Sequence, residues 1–293
     1  MISHLLAVDG GGSKTALRLS ALTESGPIPI SEHTLGPSSL TQQGEHAYAL
    51  LSEAITQQLT SHQLNPAQCA VAIGVAGSGN PHLKAGLEQA LSFCPHLKIT
   101  SDAHISLLGA NRGEPVNCLA IGTGSVATRL EANGDITLLG GWGFPIGDQG
   151  GGAWLGMQAV RALIRSYENN ESNPLTLTLA TSLGSQRAAI LTWLKQADAC
   201  AYAALAPLVL SHAQQGCSVS CDILQRGGQH IEQLVKDCCK NNDLAIVFLG
   251  SLGQYYQSRL SLAWQARCII AQGDALDGAT RLAHQLVGEH HDS

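Results

Sequence analysis

The sequence predicts an α/β protein built from two related halves. The apolar run over residues 5–8 leads into the turn Asp9-Gly10-Gly11-Gly12-Ser13-Lys14-Thr15, and the run over 118–121 leads into a second turn, Gly122-Thr123-Gly124-Ser125. Each turn precedes an apolar stretch ending in Arg-Leu, then a further turn and a third β-like run. Two copies of strand, glycine turn, strand, turn and strand indicate a duplicated domain.

Alternating helices and strands complete the first half. We predict, in order, strands near 4–9, 14–21 and 28–34, a helix over 42–59, a buried strand over 69–75, a helix over 81–93, a short strand over 97–101, and a helix that starts after Asp102. Pro81 stands in the first helical turn, where a missing N–H is tolerated. We expect this N-terminal lobe to span residues 1–113, with a terminal helix of about 275–293 packed on it.

The second half repeats this order with an insertion of helices. We predict three strands from about residue 117, a glycine-rich connection over 140–152, helices over 153–167 and 186–240, a buried strand over 244–249, a helix over 255–262, a strand over 268–271 and a terminal helix to about 287. We expect the C-terminal lobe to span 114–274, with the helical insertion at about 184–240.

Composition limits the possible partners. The 293-residue chain is 44% hydrophobic and 13% charged, with a formal net charge of −6 and no basic stretch. We therefore expect no nucleic-acid or membrane partner. Nothing at the start of the chain resembles a signal peptide, and the nine cysteines form no CxxC pair. These features predict a cytoplasmic protein with reduced cysteines, and a homodimer stays open as its oligomeric state.

The paired glycine turns are suited to holding a polyphosphate. Glycine allows main-chain N–H groups to approach an anion without interference from a Cβ. Ser13, Thr15, Thr123 and Ser125 add hydroxyl donors. Lys14 either contacts a phosphate or points into solvent. The two turns together favour a nucleotide-dependent phosphotransferase.

Two aspartates are candidates for the chemistry. Asp102 follows a short strand at a helix start, and at such a strand end ligands bind in open α/β sheets. It is the candidate base for an attacking hydroxyl, with helix capping as the structural alternative. Asp9 ends the first strand before the glycine turn, and is the candidate ligand of Mg²⁺, with a bond to its own turn as the alternative.

Two further glycine segments could line a ligand. Seven of the thirteen residues over 140–152 are glycine. Within them, Trp142 either walls a sugar pocket or belongs to the core, and Asp148 either binds sugar or caps the next helix. Gly250-Ser251, after an apolar strand, would allow close contact with adenine or ribose.

The ordered motifs resemble those of the BadF/BadG/BcrA/BcrD ATPase family. The matching stretches are AVDGGGSKT, GVAGSG, ITSDAH, AIGTGSVATRL, GGWGFPIGDQGG and FLGSLG. The family belongs to the actin/Hsp70/hexokinase superfamily and includes N-acetylglucosamine kinase. The resemblance implies an α/β fold of two ribonuclease-H-like lobes with a central ATP cleft.

The same resemblance assigns roles to residues of this chain. It makes Asp102 the base for a sugar hydroxyl, the 6-OH, and Asp9 the ligand of Mg²⁺. It implies ATP contacts at Gly11, Gly12, Ser13, Lys14, Thr15, Gly122, Thr123, Gly124, Gly250 and Ser251. It implies sugar contacts at Asp102, Thr123, Gly141, Trp142, Gly143 and Asp148.

Two departures from the family bear on the sugar. Mammalian-type N-acetylglucosamine kinases carry Ser-Thr-Asn-His after the third strand, and the asparagine contacts the sugar. Here the segment reads Gly36-Pro37-Ser38-Ser39-Leu40-Thr41, without asparagine, and Gln149 replaces the glutamate that usually follows the Gly-Asp pair. The resemblance therefore implies phosphorylation of an amino sugar, with glucosamine as the expected substrate and Asp148 as an acceptor for its ammonium group.

Three alternatives to a glucosamine kinase are open. An N-acetylglucosamine kinase would need another residue in place of the asparagine. An activator ATPase of the dehydratase type would need cluster-binding cysteines, and no cysteine lies between residues 122 and 167. A nucleotide-binding regulator would need neither Asp9 nor Asp102.

Overall fold

The chain forms two compact units. The computed structural model describes residues 1–12 and 14–289, so Ser13 of the first glycine turn lies outside the described residues. Unit 1 comprises Met1–Val116, Ala132–Gly134 and the chain from Ala271 onward. Unit 2 comprises Asn117–Glu131 and Asp135–Ile270. Each unit contains one five-stranded mixed sheet with helices packed on it, and this confirms the α/β fold class.

The sheet of unit 1 has the order β3-β2-β1-β4-β5. Its strands are β1 (His4–Gly10), β2 (Thr15–Thr23), β3 (Gly26–Leu35), β4 (Cys69–Val75) and β5 (Leu97–Thr100). The first three strands form an antiparallel meander, and β4 and β5 run parallel to β1. The central strands are continuously apolar because both faces of the sheet are covered by helices.

Five helices cover the sheet of unit 1: α1 (Leu40–Gln43), α2 (Glu45–Ser61), α3 (Pro81–Ala90), α4 (Asp102–Ala110) and α13 (Ala275–Glu289). The helix predicted over 42–59 is therefore two helices, because Gly44 has a φ of +53° and breaks the helical path. Leu17 and Leu19 of β2 pack in the same core as α2. Helices α4 and α13 can pack closely because Gly278 has no Cβ; a Cβ there would lie only 2.7 Å from the backbone nitrogen of Gly109.

The sheet of unit 2 has the order β10-β9-β6-β7-β8. Its strands are β6 (Val116–Ile121), β7 (Ser125–Leu130), β8 (Ile136–Gly140), β9 (Ile246–Leu249) and β10 (Cys268–Ile269). Read in chain order within the unit, the third, second, first, fourth and fifth strands lie side by side, as they do in unit 1. Strands β9 and β10 are parallel to β6.

Eight helices belong to unit 2: α5 (Gly152–Asn169), α6 (Pro174–Leu183), α7 (Arg187–Gln196), α8 (Ala199–Ala203), α9 (Ala206–Gln214), α10 (Ser218–Cys238), α11 (Gly253–Gln257) and α12 (Leu262–Gln265). The predicted helix over 255–262 is wrong in its bounds, since α11 ends at Gln257 and α12 begins at Leu262. Among the described residues, no helix combines the length and the apolar character that crossing a bilayer requires.

Candidate active site

The carboxyl ends of three strands of unit 1 meet at one edge of its sheet. Asp9 of β1 lies opposite Gly74 of β4, which in turn lies opposite Thr100 of β5. Asp102 follows two residues later as the first residue of α4. Parallel pairing therefore brings Asp9 and Asp102 to the same edge, where open α/β sheets bind ligands.

Asp102 is half-buried and is not the N-cap of α4. Ser101 has that role, because its hydroxyl accepts a hydrogen bond from His104 N at 3.1 Å. Asp102 Oδ1 accepts a hydrogen bond from Ala103 N at 2.9 Å. Burial raises the pKa of the Asp102 carboxyl, and hydrogen bonds from backbone N–H groups oppose the rise. Ser101, and not Asp102, therefore caps α4. Asp102 lies at the sheet edge as an incompletely solvated carboxylate.

Asp9 is the more strongly perturbed of the two carboxylates. Burial and then the charge of Asp102 raise the pKa of Asp9 from 3.8 to about 6, and Lys14 opposes this rise. Asp274, the residue directly before α13, adds a smaller repulsion. A pair of carboxylates whose charges repel in a partly buried site favours a bound cation, because the cation relieves both desolvation and repulsion.

Internal hydrogen bonds fix the first glycine turn. Gly11 N donates to Lys14 O at 3.0 Å, and Ser38 N donates to Gly11 O at 3.0 Å. Thr15 is fully buried, and its Oγ1 lies 2.7 Å from both Ser38 Oγ and Gly36 O. The Thr15 hydroxyl is therefore engaged inside the unit. Gly12 and Lys14 are exposed.

The segment over 36–41 is a structural part of this edge that sequence reasoning treated only as a departure from the family. Ser38 is fully buried, and a Cβ on Gly10 would lie 2.6 Å from Ser38 Oγ. Leu40 N donates to Ala76 O, and Ala76 N donates to Gly10 O, each at 2.9 Å. The segment thus links the ends of β1 and β4. The sequence signal was the turn at 76–80, whose glycines permit this close approach.

His104 is a second residue that the sequence reasoning did not single out. Its Nδ1 lies 2.8 Å from Oγ1 of Thr100, the last residue of β5. Burial and then the charge of Lys98 lower the pKa of His104, which favours the neutral imidazole. The residue stands in the stretch ITSDAH, so its proximity to Asp102 was visible, but its contact with Thr100 was not.

The second glycine turn rests on the first turn of helix α5. Gly152 N donates to Gly122 O at 2.8 Å, and Ala153 N donates to Thr123 O at 2.9 Å. These bonds satisfy N–H groups that a helix start otherwise leaves without partners. Thr123 is exposed, and its hydroxyl makes no hydrogen bond among the described residues. Thr123 is therefore available to a ligand.

Asp148 lies against the same turn. It has a φ of +63°, and its carboxylate accepts hydrogen bonds from the backbone N–H groups of Gly143 and Ser125. Burial raises its pKa, and these two bonds oppose the rise. A Cβ on Gly124 would overlap the Asp148 carboxylate. Asp148 thus stabilises the second glycine turn. It does not cap α5, because Gly151 occupies the N-cap position.

The other predicted contacts of unit 2 lie on exposed loops. Gly141 is exposed and Gly143 half-buried, and Trp142 is 86% exposed, so the core alternative for Trp142 is wrong. Gly250 has a φ of +83° and follows β9, whose Leu249 lies opposite Ala120 of β6. Gly250 and the exposed Ser251 therefore stand beside the second glycine turn.

Comparison with known proteins places these features in a family. The model of the BadF/BadG/BcrA/BcrD ATPase family matches residues 6–259. A glucosamine kinase of Vibrio cholerae is 26% identical over 287 residues, which cover 96% of each chain. An N-acetylmuramic acid/N-acetylglucosamine kinase of Clostridium acetobutylicum is 28% identical over 172 residues, which cover 57% of this chain and 55% of that one.

A solved structure resembles the whole chain. It comes from Chromobacterium violaceum and is described as a candidate N-acetylglucosamine kinase. It is 30% identical, and it superimposes with a TM-score of 0.85 over 96% of this chain and 99% of that one. The two-lobed fold is therefore shared over nearly the full length.

Proposed function

The chain belongs to the BadF/BadG/BcrA/BcrD ATPase family, and we propose that it is an ATP-dependent kinase of amino sugars. The single observation that carries the proposal is the pair Asp9 and Asp102 at one sheet edge, both with a raised pKa and beside a glycine turn. The kinases of Vibrio cholerae and Clostridium acetobutylicum support the substrate class.

The residues present fit Mg²⁺ and ATP. The carboxyl of Asp9, destabilised in its charged form by burial and by Asp102, is a suitable ligand for Mg²⁺. In the proposal, nucleotide contacts come from the two glycine turns and the loop after β9, that is, from Gly11, Gly12, Ser13, Lys14, Thr15, Gly122, Thr123, Gly124, Gly250 and Ser251. Thr15 would contribute through its backbone, because its hydroxyl is engaged by Gly36 and Ser38.

Asp102 would act as the general base. When bound, Mg-ATP supplies the γ-phosphoryl group and neutralises its developing charge. The sugar hydroxyl attacks phosphorus, its proton passes to Asp102, and ADP leaves with the bridging oxygen. Burial favours this role, since a raised pKa strengthens a carboxylate as a base.

Glucosamine is the sugar we propose, with phosphorylation at its 6-OH. In place of the asparagine of N-acetylglucosamine kinases, the segment over 36–41 carries Ser38 and Ser39, and both are buried. Ser38 Oγ accepts a hydrogen bond from Thr15 Oγ1. The segment therefore offers no asparagine amide to an acetamido group, which favours the free amine.

Residues of unit 2 are proposed to contact the same substrate class. Asp148 accepts hydrogen bonds from Gly143 and Ser125, and a carboxylate has capacity for further donors, such as a sugar ammonium. Thr123, Gly141, Trp142 and Gly143 complete the proposed sugar contacts. Trp142 offers an exposed aromatic face, a surface on which sugar rings can pack.

Release of ADP from Mg-ATP, followed with a coupled NADH assay, tests the proposal. The acceptors to compare are glucosamine, N-acetylglucosamine, glucose and water. We expect strong stimulation by glucosamine, weak stimulation by N-acetylglucosamine, and formation of glucosamine 6-phosphate. Equal rates with the two amino sugars would refute the preference for the free amine. Turnover that no sugar stimulates would refute the kinase assignment.

A further inference from the structure

A cavity lies in unit 1, away from the edge that carries Asp9 and Asp102. Its volume is about 600 Å³, and its walls come from β2, the start of β3, the end of α4 and helix α13. Along β2, Ser20 pairs with Leu5 of β1, whereas Ala16 pairs with Asp9. Ser20 thus lies roughly 13 Å along the strand from the level of Asp9, and Arg18, which also lines the cavity, lies roughly 7 Å from it.

The cavity also lies away from Asp102 on helix α4. Leu108 and Gly109, near the C-terminal end of α4, line the cavity, whereas Asp102 is the first residue of that helix. Six residues separate Leu108 from Asp102, which is a rise of roughly 9 Å. Neither Asp9 nor Asp102 lines the cavity, so it is distinct from the proposed kinase site.

Cations dominate the walls of the cavity. Arg18 is balanced by acidic partners, because its Nη1 lies 2.6 Å from Asp277 and its Nε lies 2.5 Å from Glu32. Arg112 and Arg281 also line the cavity, and among the described residues neither forms an ion pair. Two guanidinium groups without counter-charges therefore face one space, an arrangement that favours an anion with several acceptor oxygens.

A buried hydroxyl without a hydrogen-bond partner lies in the wall of the cavity. Ser20 is 1% exposed, and its Oγ has no hydrogen-bond partner among the described residues. An unpaired buried hydroxyl costs roughly 1–3 kcal/mol, so such groups normally have a partner. Because Ser20 lines the cavity, its partner would come from the molecule that fills it.

We propose that this cavity binds a small phosphorylated polyol, that is, a sugar phosphate. The phosphate would pair with Arg112 and Arg281, and hydroxyl groups would bond Ser20 and the amides of Gln272 and Gln285. The space is in the range of small-molecule sites and exceeds what a phosphate ion alone would fill. A sugar phosphate is also the product class of the proposed kinase, and the choice of probe below rests on that function.

Hydrogen exchange and calorimetry with glucosamine 6-phosphate test the proposal. We expect the ligand to slow amide exchange in β2 and in α13, and calorimetry to give a dissociation constant that rises at least tenfold in the double variant Arg112→Gln/Arg281→Gln. Ser20→Ala should weaken binding as well, without loss of fold, since it removes an unsatisfied group. The matched control is Arg161→Gln/Arg165→Gln, which removes the same charge from unit 2.

Defined outcomes would overturn the proposal. If glucosamine 6-phosphate slows amide exchange in α13 of the Arg112→Gln/Arg281→Gln variant as much as in the wild type, the site is refuted. Inorganic phosphate binding as tightly as glucosamine 6-phosphate would refute the polyol part of the ligand. A protein that binds glucosamine 6-phosphate through Arg112 and Arg281, but releases no ADP in response to any sugar, would uphold this site and refute only the kinase assignment.

Discussion

The two units share a strand order but differ in what stands at the end of the first strand. When the two halves of the sequence are aligned so that Arg18 corresponds to Arg129, Asp9 of unit 1 corresponds to Ala120 of unit 2. Unit 1 therefore carries a carboxylate pair at its sheet edge. Unit 2 instead has a glycine turn. The carbonyl groups of this turn accept hydrogen bonds from the start of α5, and the backbone N–H of Ser125 donates to the Asp148 carboxylate. The same topology supports charge in one unit and a rigid backbone loop in the other.

The matched arginines show the same divergence. Arg129 bonds Glu131 and the carbonyl of Cys238, so it is consumed within unit 2. Arg18 bonds acidic residues around an open cavity. Duplication thus preserved the strands and their order, while the side chains at equivalent positions acquired different partners. We infer that unit 1 supplies the two carboxylates of the proposed phosphoryl transfer, and that unit 2 supplies backbone contacts together with the Asp148 carboxylate.

The largest expected effect comes from removing the proposed base of unit 1. Asp102→Asn should lower kcat roughly 10²–10⁴-fold, because an amide cannot accept the proton of the attacking hydroxyl, while ATP binding stays nearly unchanged. Steady-state kinetics and nucleotide titration would measure both. The control Asp243→Asn, an exposed residue of unit 2, should behave as wild type. An active Asp102→Asn enzyme would contradict the assignment.

Two glycines of unit 2 should separate packing from ligand contact. Gly124→Ala forces a Cβ into the Asp148 carboxylate and should cost about 1–3 kcal/mol of unfolding free energy. At Gly122 a Cβ meets nothing within 4 Å, so Gly122→Ala should change stability by less than about 0.5 kcal/mol and still weaken ATP binding. Urea unfolding gives the stability of the two variants, and nucleotide titration gives their affinity for ATP. Equal losses of stability in Gly124→Ala and Gly122→Ala would contradict the packing of Gly124 against Asp148.

The pH dependence of catalysis should report the raised pKa of Asp102. The base must be deprotonated, so kcat/KM for the sugar falls as pH drops through that pKa. Below it, the rate should fall about tenfold per pH unit, beginning at a higher pH than an ordinary aspartate would give. A pH profile at saturating Mg-ATP would show this, and a midpoint at or below that of an ordinary aspartate would disprove it.

The smallest expected effect is a gain in stability. The charged form of Asp9 is penalised in the folded state, so Asp9→Asn should abolish sugar phosphorylation and yet stabilise the metal-free protein at pH 7.5. A rise from 3.8 to about 6 corresponds to at most about 3 kcal/mol, and partial exposure reduces this to about 1 kcal/mol. The gain should be full above pH 6 and shrink as pH falls toward 3.8, because the folded carboxyl is then already protonated. Urea unfolding at several pH values, with the Asp243→Asn variant as the reference, measures it. A less stable Asp9→Asn variant would contradict the penalty that burial and the charge of Asp102 place on the Asp9 carboxylate.

Periodicity and glycine spacing sufficed to predict the α/β class and the duplicated strand order. They failed where a single residue decides the path of the backbone, as at Gly44, which divides one predicted helix into two. They also offered helix capping as the alternative role of Asp102 and did not consider Ser101, although serine and aspartate are equally good N-caps. The structure assigned the cap to Ser101, and no local pattern distinguishes the two.

The sequence by itself determined the candidate residues Asp9 and Asp102, the two glycine turns and the family, since these depend on residue type and order along the chain. Only the tertiary structure decided the partners of those residues. It coupled Asp9 electrostatically to Asp102, engaged Thr15 with Ser38, bound Asp148 to the second turn, and left Ser20 without a partner beside Arg112 and Arg281. The physical reason is that burial, pKa shifts and hydrogen bonds arise from neighbours in space, many of which lie far apart in the sequence.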